Sequence, residues 1–148
     1  HGGAQERARR AGTSNVPGIV GMGQALRLAC ENMPTENARL EALRNRFEED
    51  ILLRIPQARI NGMRNHRLPG TLHVTFPNAD TNMLLMRLDM EGIAASAGSA
   101  CAAGAMERSH VIQAMRVPEG ADVRFSLGME NTQEDILKTV DALCRILN

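Results

Sequence analysis

The sequence predicts an α+β protein in which helices pack against a small sheet. Residues 71–76 and 123–127 alternate between apolar and polar side chains, which is typical of strands with one buried face. Residues 35–55 and 132–147 instead repeat apolar side chains every three or four positions, as amphipathic helices do. The length of 148 residues fits one ordinary domain with a single core.

The first third of the sequence predicts a loop and two helices. Residues 1–15 combine glycines with arginines and follow no period, so we expect an extended basic loop. A helix is predicted over residues 17–30, beginning at a proline, which suits a first helical turn. Pro34 interrupts the pattern, and Thr35 is expected to cap a second helix that ends before Pro56.

The remaining elements alternate between strand and helix. In order, the sequence predicts a strand over 71–76, a helix over 80–90 that Gly92 stops, a short helix over 109–115, a strand over 123–127 and a last helix from Thr132. Thr132 suits a helix cap because an acid, Asp135, follows three residues later. This order of elements favours a layered α+β arrangement.

Composition excludes several functional classes. The net charge is zero and the only aromatic residues are three Phe, so no electrostatic or base-stacking surface for nucleic acid is expected. No apolar run approaches the roughly 20 residues that a membrane-spanning helix needs. Three widely spaced cysteines fit neither a disulfide framework nor a zinc knuckle. We therefore expect a cytoplasmic protein with no nucleic-acid, membrane or metal partner.

Cys101 lies in a segment of very small side chains. Residues 94–105 are Ala, Gly or Ser throughout, apart from this cysteine. Such a cysteine can be a small hydrophobic residue where two elements approach closely, or a nucleophile on a mobile loop. Small residues favour mobility, but composition leaves both interpretations open.

Arg124 is the second candidate, on the polar side of a predicted strand between Asp122 and Ser126. A strand arginine is either a solvated surface group or a paired donor for a carboxylate, whose two oxygens it matches. The residues alone do not decide between these roles.

The opening loop is the third candidate. Its glycines, Thr13 and nearby arginines precede a helix start and could bind an anion through backbone N–H groups and a hydroxyl, or could simply connect two elements. His66, His73 and His110 lack the spacing of metal ligands and receive no role.

Three segments together resemble one enzyme family. They are residues 1–6 (HGGAQE) with 10–13 (RAGT), residues 96–101 (SAGSAC) and residues 123–128 (VRFSLG). Their order and spacing are similar to those of cysteine desulfurases of the nitrogen-fixation and iron–sulfur-cluster type, within the class V aminotransferases. The resemblance implies the small C-terminal domain of the pyridoxal-phosphate-dependent aspartate aminotransferase fold (fold type I), with a mostly antiparallel sheet.

The resemblance also implies a role for each candidate residue. Cys101 would be the nucleophile that takes the sulfur of L-cysteine, leaving L-alanine and an enzyme-bound persulfide. Arg124 would bind the substrate carboxylate, and Thr13 would reach the phosphate of pyridoxal phosphate in the partner subunit of a homodimer. A sulfur-acceptor or cluster-scaffold protein would receive the persulfide sulfur.

The lysine content bears on the cofactor. Lys138 is the one lysine of the chain, and it lies on the polar face of the last predicted helix, so we expect no cofactor role for it. The family's cofactor-anchoring lysine is expected upstream of residue 1, and this chain alone is expected to be inactive. Residues 1–33 are assigned to the end of the large cofactor-binding domain and a connecting helix, and residues 34–148 to the small domain with its catalytic cysteine loop.

Two other hypotheses stay open. A stand-alone persulfide carrier or interaction module would accept sulfur on Cys101 from another protein, without a cofactor. Part of a related enzyme of the selenocysteine lyase type would use its cysteine differently, although the SAGSAC form of the segment favours a desulfurase.

Overall fold

The computed structural model describes residues 2–7, 9–97 and 108–147, so Cys101 lies outside the described residues. The chain divides into two compact units, His1–Glu36 and Asn37–Asn148. Among the helices of the described residues, none combines the length and the apolarity needed to cross a membrane.

The first unit begins with a small antiparallel hairpin of two strands, β1 (Ala4–Gln5) and β2 (Arg10–Ala11). Glu6 and Arg7 turn the chain with φ angles of 51° and 57°. The prediction of an extended loop is therefore wrong in part. Strands of two residues are too short to show an alternating pattern, which is why the sequence did not reveal them.

Helix α1 (Val16–Arg54) is continuous, and the predicted interruption at Pro34 is wrong. The proline ring fixes φ at a helical value, so the helix can pass through it and loses one backbone N–H donor. Thr35 is consequently an interior residue rather than a cap. The start of α1 is capped by Asn15, whose side-chain oxygen accepts a hydrogen bond from the Gly18 N–H at 3.1 Å.

The second unit contains an antiparallel sheet of β3 (Arg59–Ile60), β4 (Thr71–Phe76) and β5 (Ala121–Ser126), in that order. Strand β4 confirms the prediction, and β5 begins two residues before its predicted start. Strand β3 was not predicted, because a two-residue edge strand carries no periodic signal. Beyond β5, Ser96 pairs with Arg124 in an isolated antiparallel bridge.

Three further helices complete the second unit: α2 (Thr81–Met90), α3 (His110–Ala114) and α4 (Gln133–Leu147). Their predicted positions are confirmed to within one or two residues. Asp80 caps α2 by accepting a hydrogen bond from the Met83 N–H at 2.9 Å. At the start of α4, the Thr132 N–H donates to the Asp135 carboxylate at 2.9 Å, as the sequence motif predicted.

The hydrophobic core lies on one face of the sheet, in the second unit. Phe47 of α1 meets Phe125 of β5 edge-on, with ring centroids 5.0 Å apart. The buried apolar side chains come from β4, β5, α1, α2 and α4, and the largest are Phe47, Ile51, Leu72, Val74, Phe76, Leu84, Leu88, Val123, Phe125, Ile136, Val140 and Leu143. The structure is thus the predicted α+β fold with an antiparallel sheet, and the opposite sheet face is left for polar groups.

Candidate functional site

The second face of the sheet carries polar side chains in facing pairs. His73 of β4 lies opposite Arg124 of β5, and Thr75 lies opposite Asp122. Directly opposed residues of an antiparallel pair project from the same face, with Cβ atoms about 5 Å apart. The alternation in β5 therefore places Arg124 on the polar face, as the sequence predicted, and gives it a histidine as its cross-strand neighbour.

Arg124 is half-buried, and its backbone is fixed from both sides of β5. Besides pairing with β4, its N–H donates to the Ser96 carbonyl at 2.7 Å, and the Ser96 N–H donates to the Arg124 carbonyl at 3.2 Å. Ser96 is the first residue of the SAGSAC segment. The chain that leads into this segment is thus attached to the arginine strand.

Arg108, the first described residue after the segment, is attached to the same strand. Its guanidinium donates to the two carboxylate oxygens of Asp122 at 2.5 and 3.0 Å. It also donates to the carbonyls of Val117 and Pro118, each at 2.7 Å. The residues on both sides of 98–107 therefore contact β5, at positions two residues apart.

Asp122 is a buried carboxylate, 5% exposed, with several donors around it. The Thr75 hydroxyl donates to it at 2.5 Å, in addition to Arg108. Burial by itself would raise the pKa of Asp122, but the hydrogen bonds from Arg108 and Thr75 outweigh it and lower the pKa. Asp122 in turn raises the pKa of Arg108, so the pair is ionised at neutral pH.

His73 is part of the same polar face, although no motif in the sequence assigned it a role. Its Nδ1 lies 2.8 Å from the side-chain nitrogen of Asn61. Burial lowers its pKa, and the cations of Arg124 and Arg108 add to this effect against the opposing charge of Asp122. The imidazole is therefore neutral at neutral pH. Its place on the polar side of β4 was visible in the sequence, but its partner across the sheet was not.

Thr13 lies in the first unit, in the loop between β2 and α1, and is exposed. The preceding Gly12 has a φ of +86°, a conformation that favours glycine. Arg10 donates to the Gly12 carbonyl and to the Ser14 hydroxyl, both at 2.7 Å. An exposed hydroxyl, a guanidinium and a helix start within residues 10–16 are a donor set that suits a phosphate.

The candidate residues are distributed over different parts of the chain. Arg124 belongs to the second unit, Thr13 to the first, and Cys101 to residues outside the description. Of the other two cysteines, Cys30 is exposed and Cys144 is half-buried. Within the described residues, no group of three His, Cys, Asp or Glu side chains could hold a metal ion.

Lys138 is exposed on α4. It lines a cavity of about 410 Å³ together with residues of the segment after α2, the end of β5 and α1. Aromatic side chains of the core, Phe47 and Phe125, form part of the wall of this cavity, and its lining residues do not include Arg124. The lysine and the arginine therefore do not share this cavity.

Curated proteins similar to this chain are cysteine desulfurases. A "Cysteine desulfurase" of Gluconacetobacter diazotrophicus is 46% identical over 99% of the chain, which covers 37% of that protein. A "Cysteine desulfurase IscS" of Dictyoglomus turgidum is 43% identical, over 99% of this chain and 38% of its own length. A "Cysteine desulfurase NifS" of Azotobacter vinelandii is 43% identical, over 94% of this chain and 35% of its own length. The chain thus spans little more than a third of the length of these relatives.

Solved structures and a family model agree with these relatives. A "NIFS-LIKE PROTEIN" superposes with a TM-score of 0.84 at 33% identity, over 99% of this chain and 38% of the other. A NifS-like protein from Rickettsia africae superposes with a TM-score of 0.79 at 32% identity, over 98% of this chain and 38% of the other. The model of the family "Aminotransferase class-V" matches residues 3–139. Since this match includes nearly the whole sequence, the chain belongs to the aminotransferase class V family.

Proposed function

We propose that the chain is the C-terminal portion of a cysteine desulfurase, which moves the sulfur atom of L-cysteine onto Cys101 and releases L-alanine. The observation that carries this proposal is the arrangement on β5. The strand presents Arg124 on a polar face and also binds the residues that flank the cysteine-bearing segment, Ser96 and Arg108. A carboxylate binder and a candidate nucleophile are thereby linked to one strand.

Arg124 would bind the carboxylate of L-cysteine. Its guanidinium can donate two parallel hydrogen bonds to the two carboxylate oxygens, which fixes the orientation of the substrate as well as holding it. The backbone hydrogen bonds to Ser96 and to β4 hold the strand in a fixed position when the substrate binds. Orientation matters because the substrate sulfur must face one particular thiol.

Cys101 would then attack the substrate sulfur as a thiolate. The bond between sulfur and the substrate β-carbon breaks, its electron pair stays with the carbon, and the carbon takes up a proton. One thiol and one cysteine thus give one persulfide and one alanine. The sulfur is oxidised to the sulfane level while the carbon is reduced, so no external oxidant is needed.

Pyridoxal phosphate would be the cofactor, and when bound it supplies an electron sink at the substrate carbon. Thr13, with the donors of its loop, would hold the phosphate of the cofactor that belongs to the partner subunit of a homodimer. Lys138 is exposed on α4 and is not proposed as the cofactor anchor. We place the anchoring lysine in a part of the enzyme outside these 148 residues.

The persulfide sulfur would pass to an acceptor in the cytoplasm, such as an iron–sulfur cluster scaffold. A thiol that serves both the substrate and an acceptor must reach two places. Cys101 lies five residues after Ser96 and seven before Arg108, and five extended residues can span about 17 Å. Fixed ends with a short intervening segment are suited to this transfer.

The test uses the complete enzyme with pyridoxal phosphate and L-cysteine, and measures L-alanine. We expect C101S to lose alanine formation and C30S, a substitution of an exposed cysteine, to retain it. The 148-residue chain alone with the cofactor should form no alanine. Alanine formation by C101S at the wild-type rate contradicts the proposed nucleophile.

The carrier hypothesis makes a different prediction for the same proteins. It expects Cys101 to accept sulfur from a persulfide donor without cofactor, while the complete enzyme releases no alanine from L-cysteine. That pair of results would replace the desulfurase proposal.

A further inference from the structure

The imidazole of His73 is tied to a hydrogen-bonded chain that starts at a carboxylate. The Thr75 hydroxyl has one proton, and it is donated to Asp122 at 2.5 Å. Toward any other neighbour this hydroxyl can act only as an acceptor. The next group in the chain must therefore be a donor.

That next group is the side-chain amide of Asn61. Its nitrogen lies 2.7 Å from the Thr75 hydroxyl and 2.8 Å from Nδ1 of His73. Because Thr75 needs a donor here, the amide presents its NH₂ group rather than its oxygen, and the second N–H of that group is directed to the imidazole.

Nδ1 of His73 consequently accepts a hydrogen bond and carries no proton. In a neutral imidazole the proton then resides on Nε2, so this atom is a donor. Protonating Nδ1 as well would set two donors against each other at 2.8 Å. The chain from Asp122 through Thr75 and Asn61 thus selects one tautomer of a neutral ring.

The Nε2–H group has no hydrogen-bond acceptor within the described part of the protein. The nitrogen atom itself is buried. A buried donor without an acceptor is unfavourable, so such groups are usually satisfied by a bound molecule or have a functional role. His73 lies directly opposite Arg124, on the same sheet face.

We propose that His73 is a second donor for the carboxylate that Arg124 binds, through the Nε2–H of its neutral imidazole. This inference rests on the proposed function, in which that carboxylate belongs to L-cysteine and L-alanine. Nε2 is shielded from water, so the inference requires the side chain of Arg124 to move when the carboxylate binds.

The chemistry of the ligand fits this pair of donors. A carboxylate can accept about four hydrogen bonds, of which a bidentate guanidinium provides two. A neutral N–H adds a third without placing a second cation beside Arg124. The buried Asp122 is occupied by Arg108 and Thr75, so it does not compete for the imidazole proton.

The test measures binding to the complete, cofactor-loaded enzyme by titration calorimetry, with L-alanine and with L-alaninamide, which lacks the carboxylate. The variants are H73N, which leaves no donor at the Nε2 position, and H73Q, whose longer amide can place one there. H66N is the matched control because His66 is exposed on the loop before β4. Thermal melting of each variant shows whether it is folded.

We expect H73N to weaken L-alanine binding about 10- to 100-fold, the range for a hydrogen bond to a charged group, and to leave alaninamide binding unchanged. H73Q should weaken L-alanine binding less than H73N does, and H66N should not weaken it. Equal weakening of both ligands, or no weakening of either by H73N, overturns the inference. Wild-type enzyme that does not prefer alanine to alaninamide overturns it as well.

A second measurement needs no substitution and therefore does not depend on a variant that folds. Nitrogen-15 spectra of histidine-labelled enzyme should show His73 protonated on Nε2 alone, with a shift of that signal on adding L-alanine but not alaninamide. The opposite tautomer overturns the inference.

The inference and the proposed function can fail separately. If the carboxylate dependence is found but no alanine forms from L-cysteine, the role of His73 stands and the desulfurase proposal fails. If the enzyme forms alanine but H73N binds L-alanine as tightly as the wild type, the desulfurase proposal stands and the role of His73 fails.

Discussion

Arg124, the proposed carboxylate binder, has its backbone bonded on both edges of β5, and its side chain projects from the polar sheet face. The proposed role depends on a planar fork of donors rather than on charge alone. Lysine keeps the charge but provides a single ammonium group, and the two residues are therefore not equivalent at this position.

We predict that R124K and R124Q lower kcat/KM for L-cysteine in the complete enzyme by roughly 10- to 100-fold or more, because both lose the paired charge-assisted hydrogen bonds. The larger loss is expected for R124Q. Steady-state alanine formation measures the effect. R59Q, an exposed arginine on β3 of the same sheet, should behave as wild type. A wild-type value for R124Q would remove Arg124 from the site.

The lowered pKa of His73 predicts that the stability of the protein depends on pH. Its pKa in the folded protein lies below the ordinary value of 6.5, so between the two values the unfolded chain binds the proton more readily. The contribution of the neutral ring is complete above pH 6.5 and is lost as the pH falls below it. Urea midpoints of the wild type should therefore decrease on acidification through this range.

The variant H73Q should show a weaker decrease over the same pH range, because it has no group to protonate there. H66Q, which replaces an exposed histidine, should keep the wild-type slope. Parallel curves for all three proteins would mean that the His73 pKa is not lowered.

At the level of single residues, the sequence predicted what local pattern determines. The polar side of β5 and the exposed position of Lys138 follow from periodicity. The partners of these residues do not, because Asn61, His73 and Asp122 are brought together by strand pairing between positions far apart in the chain. Arg108 was missed for the same reason, since its carboxylate partner is 14 residues away on β5.

Among the elements, β5 is the one that organises the site, and the contact between Arg108 and Asp122 is its main polar anchor. Both side chains are largely shielded, at 23% and 8% exposure. Removing one partner of such an ion pair costs more free energy of unfolding than the intact pair contributes, because the remaining charge is left buried.

We predict that D122N lowers the free energy of unfolding by about 2–4 kcal/mol, measured by urea titration. The substitution leaves Arg108 without its counter-charge and replaces one carboxylate oxygen with an amide NH₂ group, which cannot accept a hydrogen bond from Arg108 or Thr75. E91Q, which breaks the exposed pair of Glu91 with Arg145, is the control and should change little. Equal effects of D122N and E91Q would show that the anchor does not stabilise β5.

Helix α1 gives a test of one element for which sequence and structure disagree. P34A restores a backbone N–H that can bond to the Cys30 carbonyl in a continuous helix, and the prolyl penalty in a helix interior is about 3 kcal/mol. We predict slower amide hydrogen exchange for the residues around position 34. P17A lies in the first turn, where a new N–H has no helical partner, and should leave exchange unchanged. If the helix ends at Pro34, P34A will also have no effect.

Most of the elements that were predicted correctly have several periods of pattern. Strand β4, the helices α2 and α4, and the cap Thr132 carry enough signal to be located. The two-residue strands β1, β2 and β3 do not. Pro34 misled the prediction because the local rule for proline gives the cost of continuing a helix but not whether the rest of the chain compensates for it.

In the molecule as a whole, the described residues form two units that differ in how deeply their side chains are buried. The buried core belongs to the second unit, whereas nearly all the described residues of the first are exposed. The family is established by a match over residues 3–139, and the chain spans 37% of the desulfurase of Gluconacetobacter diazotrophicus. The assignment of residues 1–33 and 34–148 to the large and small domains stays a prediction.

The central claim is that sulfur from L-cysteine is transferred to Cys101. The most direct measurement is peptide mass mapping of the complete enzyme after a single turnover with L-cysteine, with persulfides trapped by alkylation. We predict one additional sulfur atom on the peptide that contains Cys101, and none on the peptides of Cys30 and Cys144. Sulfur on either of those two cysteines with none on Cys101 would contradict the claim.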